Sequence, residues 1–162
     1  MVNTSVYLVL LAACCAYVAM RGGTPELLGG TIIAVASLLT FAALLGSMAD
    51  LYRSIEMGVF VVDVVALLAF IALALRANRL WPLCVTALHI VGTAGHAVKL
   101  VDPQVLPYAY AFALRFWGYP MVLVLLIGTW NHQRRLARFG VDRSWSSFSG
   151  RSERRPPTGP IG

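Results

Sequence analysis

Four ionisable residues lie inside long apolar stretches of this sequence: Asp63, His89, His96 and Arg115. A charged or titratable group in hydrocarbon is costly, so each of these side chains needs a partner or a purpose. Chains of Asp and His carry protons or ions through membranes, and Arg can hold an anionic ligand. We therefore treat these four residues, an intramembrane polar cluster, as the candidate site.

Polar residues share one face of the stretch that contains the two histidines. His89 and His96 are seven residues apart, so they project from the same side of a helix. Thr93 lies close to the same line, and Lys99 continues it toward the end of the stretch. This spacing predicts a polar stripe that faces protein or water rather than lipid.

The neighbouring apolar stretches carry matching polar lines. Glu56 and Asp63 are also seven residues apart, and a third line, spaced by seven and four, consists of Tyr108, Arg115 and Tyr119. Asp63 and Arg115 each lie about 10 Å inside the same end of their helices, so they are predicted to form a buried ion pair. Such a pair can simply hold two helices in register. The alternatives are a proton or ion path and a pocket for an anionic ligand.

The sequence requires no cofactor. Two histidines at positions i and i+7 are too far apart on a straight helix to chelate one metal ion, for which i, i+4 is the usual spacing. His89 and His96 cannot both bind one haem iron for the same reason, although one of them could pair with a histidine of a second chain. The GxSxG, Walker A and HExxH motifs are absent. We therefore predict a non-enzymatic protein.

The elements that position these residues follow from hydropathy. The chain is 59% hydrophobic and 12% charged, whereas a soluble domain carries about 25% charged residues. Apolar runs near the roughly 20 residues needed to cross a bilayer fall at about 5–20, 24–48, 57–75, 80–100 and 108–130. We predict an all-α transmembrane bundle in residues 1–131, with five spans, or four if the short first segment does not span. A basic, flexible cytoplasmic tail is predicted at 132–162.

The basic residues set the orientation. With the C-terminus inside, ten of the 13 Lys and Arg residues lie on the cytoplasmic side, which predicts an N-out, C-in topology. Trp81 and Trp130 would then be aromatic anchors at the inner interface. Three arginines just beyond the last span are predicted to contact lipid headgroups or a partner: Arg134, Arg135 and Arg138.

The first two apolar segments also contain local sequence motifs. Leu11-Ala12-Ala13-Cys14 resembles a bacterial lipobox, in which Cys14 would be lipid-modified. The preceding stretch is short and lacks basic residues, which favours an uncleaved first helix. Thr24-Pro25-Glu26 predicts the start of the second helix, with Thr24 as its cap.

Composition also bears on location and partners. Abundant Ala, Val, Leu and Arg with short loops resemble a small, multi-pass inner-membrane protein of a high-GC bacterium. Small size and the absence of an extramembrane domain favour a structural or accessory subunit of a larger membrane complex, associated with other subunits or with itself. A small transporter or channel-like protein that uses the polar cluster is the alternative. No nucleic-acid-binding module accompanies the net charge of +6, so no nucleic-acid partner is predicted.

Overall fold

The protein forms five α-helices and, in the described residues, no β-strand. A computed structural model describes residues 4–45, 53–101, 107–142 and 144–145, with side chains over 5–43, 57–95, 116–142 and 144–145. The helices are α1 (Thr4–Arg21), α2 (Thr24–Leu45), α3 (Arg53–Arg76), α4 (Trp81–Val101) and α5 (Pro107–Phe139). The prediction of an all-α fold is confirmed.

A glycine pair separates α1 from α2. The Gly22 amide donates to the Val18 carbonyl at 2.7 Å and closes the last turn of α1. The Gly23 carbonyl accepts the first helical hydrogen bond of α2, from Leu27 at 3.0 Å, so Gly23 caps the helix instead of the predicted Thr24. The reason is that Glu26 then occupies the third helical position, where its Oε2 accepts the Gly23 N–H at 3.2 Å.

The helices pack in chain order, and the last returns to the first. Each helix contacts the next along the chain, and α5 contacts α1 and α2 as well as α4. Aliphatic and aromatic side chains from all five helices form the core: Leu11, Val18, Ile33, Phe70, Leu73, Val85, Val122 and Leu125. Cys14, the lipobox candidate, lies in this core at 1% exposure, so α1 is an integral part of the bundle.

The outer surface of the bundle is apolar. Val9, Leu38, Val65 and Leu68 are each more than 60% exposed. Two helical segments are long and apolar enough to cross a bilayer, Thr24–Ala43 and Met57–Arg76, and only 22% and 17% of their apolar windows are buried in the bundle. These two helices support a membrane location, while the predicted number of spans stays a prediction.

The chain reverses direction after α5. This helix extends past the predicted end of the last span to Phe139, where Gly140 adopts a φ of 70° and its amide donates to the Leu136 carbonyl. The return segment (residues 140–142 and 144–145) then reaches the α3–α4 connection, where Ala77 and Trp145 form an antiparallel bridge. The remainder of the predicted tail, 146–162, lies outside the described residues.

Candidate functional site

The structure brings two residues of the predicted polar cluster together. The Nε2 of His89 lies 3.0 Å from the backbone carbonyl oxygen of Asp63, so a protonated Nε2 donates to it and links α4 to α3. The His89 ring also meets the Phe70 ring edge-on at 5.6 Å between centroids. Thr93, one turn further along α4, donates its hydroxyl to the His89 carbonyl at 2.9 Å. His89 is therefore held by both packing and hydrogen bonding.

The other predicted site residues have different positions. Tyr119 packs edge-on against Tyr7 of α1, with ring centroids 5.6 Å apart, and the Tyr7 hydroxyl lies 2.9 Å from the Ser37 hydroxyl of α2. The predicted ion pair of Asp63 with Arg115 stays a prediction, because the latter side chain lies outside the described residues. The same holds for the side chains of Glu56, His96, Lys99 and Tyr108.

A second polar cluster lies at the end of the bundle where α5 ends; it was not predicted as a cluster, although Arg135 was predicted to contact lipid headgroups or a partner. We call it the end network; it consists of Glu26, Arg79, Trp81, His132, Arg135 and Asp142. These residues come from the start of α2, the α3–α4 connection, the start of α4, the end of α5 and the return segment. The end network therefore joins three of the five helices, α2, α4 and α5, to the α3–α4 connection and the return segment.

Glu26 is the most deeply buried acid of the end network, with 0% exposure. Its Oε1 accepts the indole N–H of Trp81 at 2.9 Å, while Oε2 accepts the Gly23 amide. The Nη1 of Arg79 lies 3.5 Å from Oε1. The carboxylate also lies in the first turn of α2, where the helix dipole favours negative charge. These contacts together compensate for its loss of hydration.

Arg79 lies at the centre of the end network, and its side chain is 1% exposed. Its Nη1 is 2.5 Å from Oδ2 of Asp142 and 3.1 Å from Nδ1 of His132, in addition to its contact with Glu26. Among the described residues, its Nε and Nη2 are buried without an acceptor. A single guanidinium nitrogen thus makes the contacts with two carboxylates, so the buried charge of Arg79 is compensated mainly by these two acids.

Asp142 anchors the return segment. Its Oδ2 is 2.6 Å from Nδ1 of His132, and Nε of Arg135 is 3.1 Å from both carboxylate oxygens. Burial is the largest influence on the pKa of Asp142 and acts to raise it. Hydrogen bonds from His132 and Arg135 and the charges of Arg79 and Arg135 outweigh burial and lower this pKa below its ordinary value. Asp142 is therefore ionised at neutral pH.

Trp81 lies inside the bundle and is not the interfacial anchor predicted from its position. It is 6% exposed, because glycines of two neighbouring helices leave room for its ring. A Cβ at Gly128 of α5 would lie 2.6 Å from Cγ of Trp81, and a Cβ at Gly29 of α2 would also clash with the ring. Trp130, by contrast, is 52% exposed, with the Arg134 guanidinium 4.6 Å from its ring centroid.

The end network can clamp helix ends together through charge. In the described part of the chain, no three His, Cys, Asp or Glu side chains are arranged to hold a metal ion.

The predicted topology, unlike the spacing of residues along one helix, could have indicated the end network. Glu26, Arg79, His132 and Asp142 all lie at or just beyond ends of predicted spans on the side predicted to be cytoplasmic.

Comparison with protein-family models, curated proteins and solved structures finds no match to this chain.

Proposed function

We propose that this protein is a non-enzymatic, multi-pass protein of a bacterial inner membrane and a small structural or accessory subunit of a larger membrane complex. The observation that carries this proposal is a distribution of apolar and charged side chains opposite to that of a soluble protein. Large apolar residues cover the outside of the helices, while Glu26 and the Arg79 side chain are fully buried or nearly so. An apolar surface this extensive is unfavourable in water and favourable against acyl chains.

The proposed topology has five spans with the C-terminus in the cytoplasm. The ends of α1, α3 and α5 meet the starts of α2 and α4 at one level, as the alternation of up and down helices requires. This level carries the arginines of the α1–α2 and α3–α4 connections and of the end of α5. The positive-inside rule then assigns this end to the cytoplasm.

The end network supports a structural role. Burying an ion pair costs desolvation energy, so such pairs contribute more to a unique arrangement than to net stability. Here the pairs connect residues as far apart in sequence as Arg79 and Asp142. A fixed bundle presents constant apolar faces, on which other membrane subunits or a second copy of the chain can pack.

A small transporter or channel-like protein is the second candidate function, and the contact between His89 and Asp63 is the observation that favours it. Both residues lie within long apolar helices, where His and Asp form proton paths in other proteins. The acceptor is a backbone carbonyl, however, and the ring packs on Phe70. These contacts favour a role in helix register for His89.

The first test is gentle extraction from native membranes, followed by native mass spectrometry and an absorption spectrum. We expect the protein to resist alkaline washing and to travel in a particle much heavier than its own 17.6 kDa, with other subunits present. Release by alkali would contradict the membrane location. A colourless particle made only of this chain would contradict the accessory role and favour transport.

Substitution then separates the two roles of the polar cluster. If Asp63 holds helices in register, Asp63→Asn lowers the abundance or assembly of the complex. If the cluster is a conduit, His89→Ala leaves the abundance unchanged and abolishes flux. A complex that assembles normally with Asp63→Asn would refute the register role.

A further inference from the structure

We propose that the groove between α1 and α5 at the cytoplasmic end binds an anionic phospholipid, with Arg134 as its headgroup contact. This inference rests on the membrane location proposed above and adds a ligand class and a site. The groove is a shallow, open depression on the bundle surface, with a volume of about 360 Å³, and is lined by Tyr17, Leu126, Ile127 and Trp130. Its lining is mostly apolar, as an acyl chain requires.

The amphipathic residues of the groove have the arrangement of a membrane interface. Trp130 and Ile127 are each more than half exposed and face outward from the bundle. Tyr and Trp concentrate at the level of lipid headgroups because their rings are apolar and carry one polar group. Tyr17 and Trp130 therefore place the cytoplasmic mouth of the groove at headgroup level.

A cation lies at this mouth. The Arg134 guanidinium stacks over the Trp130 ring at 4.6 Å from its centroid. Gln133, the preceding residue, donates its side-chain amide to the Arg21 carbonyl and so brings the basic end of α1 to the same place. An exposed guanidinium group beside an apolar groove complements a lipid that combines an acyl chain with a phosphate.

The neighbouring arginine is not available for this role. Arg135 directs its Nε to both carboxylate oxygens of Asp142 at 3.1 Å. Of the two adjacent arginines predicted to reach lipid headgroups, one is therefore bound within the protein. Arg134 carries an exposed charge at the groove. Arg76, an exposed cation at the end of α3, provides a matched charge away from it, because α3 packs against α2 and α4.

Quenching of Trp130 by brominated lipids tests the proposal. The full-length protein is placed in phosphatidylcholine vesicles that contain either brominated phosphatidylglycerol or brominated phosphatidylcholine. The Trp130→Phe protein, measured in the same vesicles, isolates the Trp130 part of the signal. We expect brominated phosphatidylglycerol to reach half-maximal quenching at a several-fold lower fraction of the lipid than brominated phosphatidylcholine.

Two arginine variants test whether Arg134 is responsible for the preference for the anionic lipid. Arg134→Gln should reduce the preference for the anionic lipid about fivefold, as expected for one cation at a membrane surface. Arg76→Gln removes the same charge from a different helix and should largely retain the preference. An equal loss in both variants would refute the site, because a diffuse basic surface would explain it.

The remaining outcomes separate this inference from the proposed membrane location. Equal quenching of Trp130 by the two brominated lipids would refute the anionic-lipid site and leave the membrane location standing. Quenching by neither lipid would refute both.

Discussion

Arg79 is the residue on which the end network depends, because its Nη1 contacts both Glu26 and Asp142. Removing one partner of a buried ion pair leaves an uncompensated charge and costs about 3–5 kcal/mol. We therefore expect Arg79→Met to lower the free energy of unfolding in detergent by about that amount, measured by denaturant titration of tryptophan fluorescence. Arg138→Met, at an exposed position, should change it by no more than about 0.5 kcal/mol. Equal stability of the two variants would contradict the proposed role of the end network.

Only part of the end network could be predicted from the sequence. The sequence predicted that Glu26 lies at the start of α2, since Pro and an acid in a first turn have a local cause. It did not predict that Arg79 faces this acid, because the two residues are 53 positions apart and nothing local specifies their contact. Arg79 was predicted only to lie on the cytoplasmic side, and Arg135 was predicted to contact lipid headgroups or a partner.

At the scale of helices, the fit of Trp81 between α2 and α5 depends on glycine. A Cβ at Gly128 would lie 2.6 Å from Cγ and 3.1 Å from Cβ of Trp81, and that indole is held by Glu26 and cannot move freely. Gly128→Ala should therefore lower the free energy of unfolding by about 1–3 kcal/mol, as overpacked cores do. Gly58→Ala in α3 is the control, because its Cβ would meet nothing within 4 Å. Thermal unfolding in detergent compares the two, and an unchanged Gly128→Ala protein would show that Trp81 can shift.

The return segment should respond to acid. Because the pKa of Asp142 is lowered in the folded protein, its stabilising contribution is complete above the ordinary value of 3.8. This contribution is lost as the pH falls through the lowered pKa. Asp142→Asn should accordingly be less stable than the parent at neutral pH, and the difference should shrink as the carboxylate is protonated. Unfolding curves recorded over a pH series measure it, and a difference that is constant with pH would contradict the ionic role of Asp142.

Helix bounds were predictable where composition changes sharply. The predicted segment at 57–75 lies within Arg53–Arg76, and the one at 80–100 matches Trp81–Val101 closely. The end of α5 was not predicted, because the polar residues after Asn131 were interpreted as the beginning of a tail. Gln, Arg, Leu and Ala at 133–138 are nevertheless strong helix formers, and this propensity continues the helix to Phe139.

At the scale of the whole molecule, the apolar exterior gives the membrane proposal a direct test. Val65 is 61% exposed in the middle of α3, and Val141 is 72% exposed in the return segment. Val65→Lys would place a charge against acyl chains at a cost of roughly 2.5–3.5 kcal/mol for insertion, so less protein should reach the membrane fraction. Val141→Lys should have little effect, since the proposed topology places residue 141 in water. Equal amounts of both variants in the membrane would contradict the proposed spans.

The order of synthesis has a consequence for the end network. Glu26 leaves the ribosome long before Trp81 and Arg79, which contact it across 55 and 53 residues, respectively. Asp142 follows Arg79 by a further 63 residues. A nascent chain that stops before the return segment therefore carries a buried guanidinium without its nearest carboxylate. The bundle can close at this end only after its last helix and the return segment have been synthesised, so a truncated chain would present an incomplete charge set to the quality-control proteases of the cell.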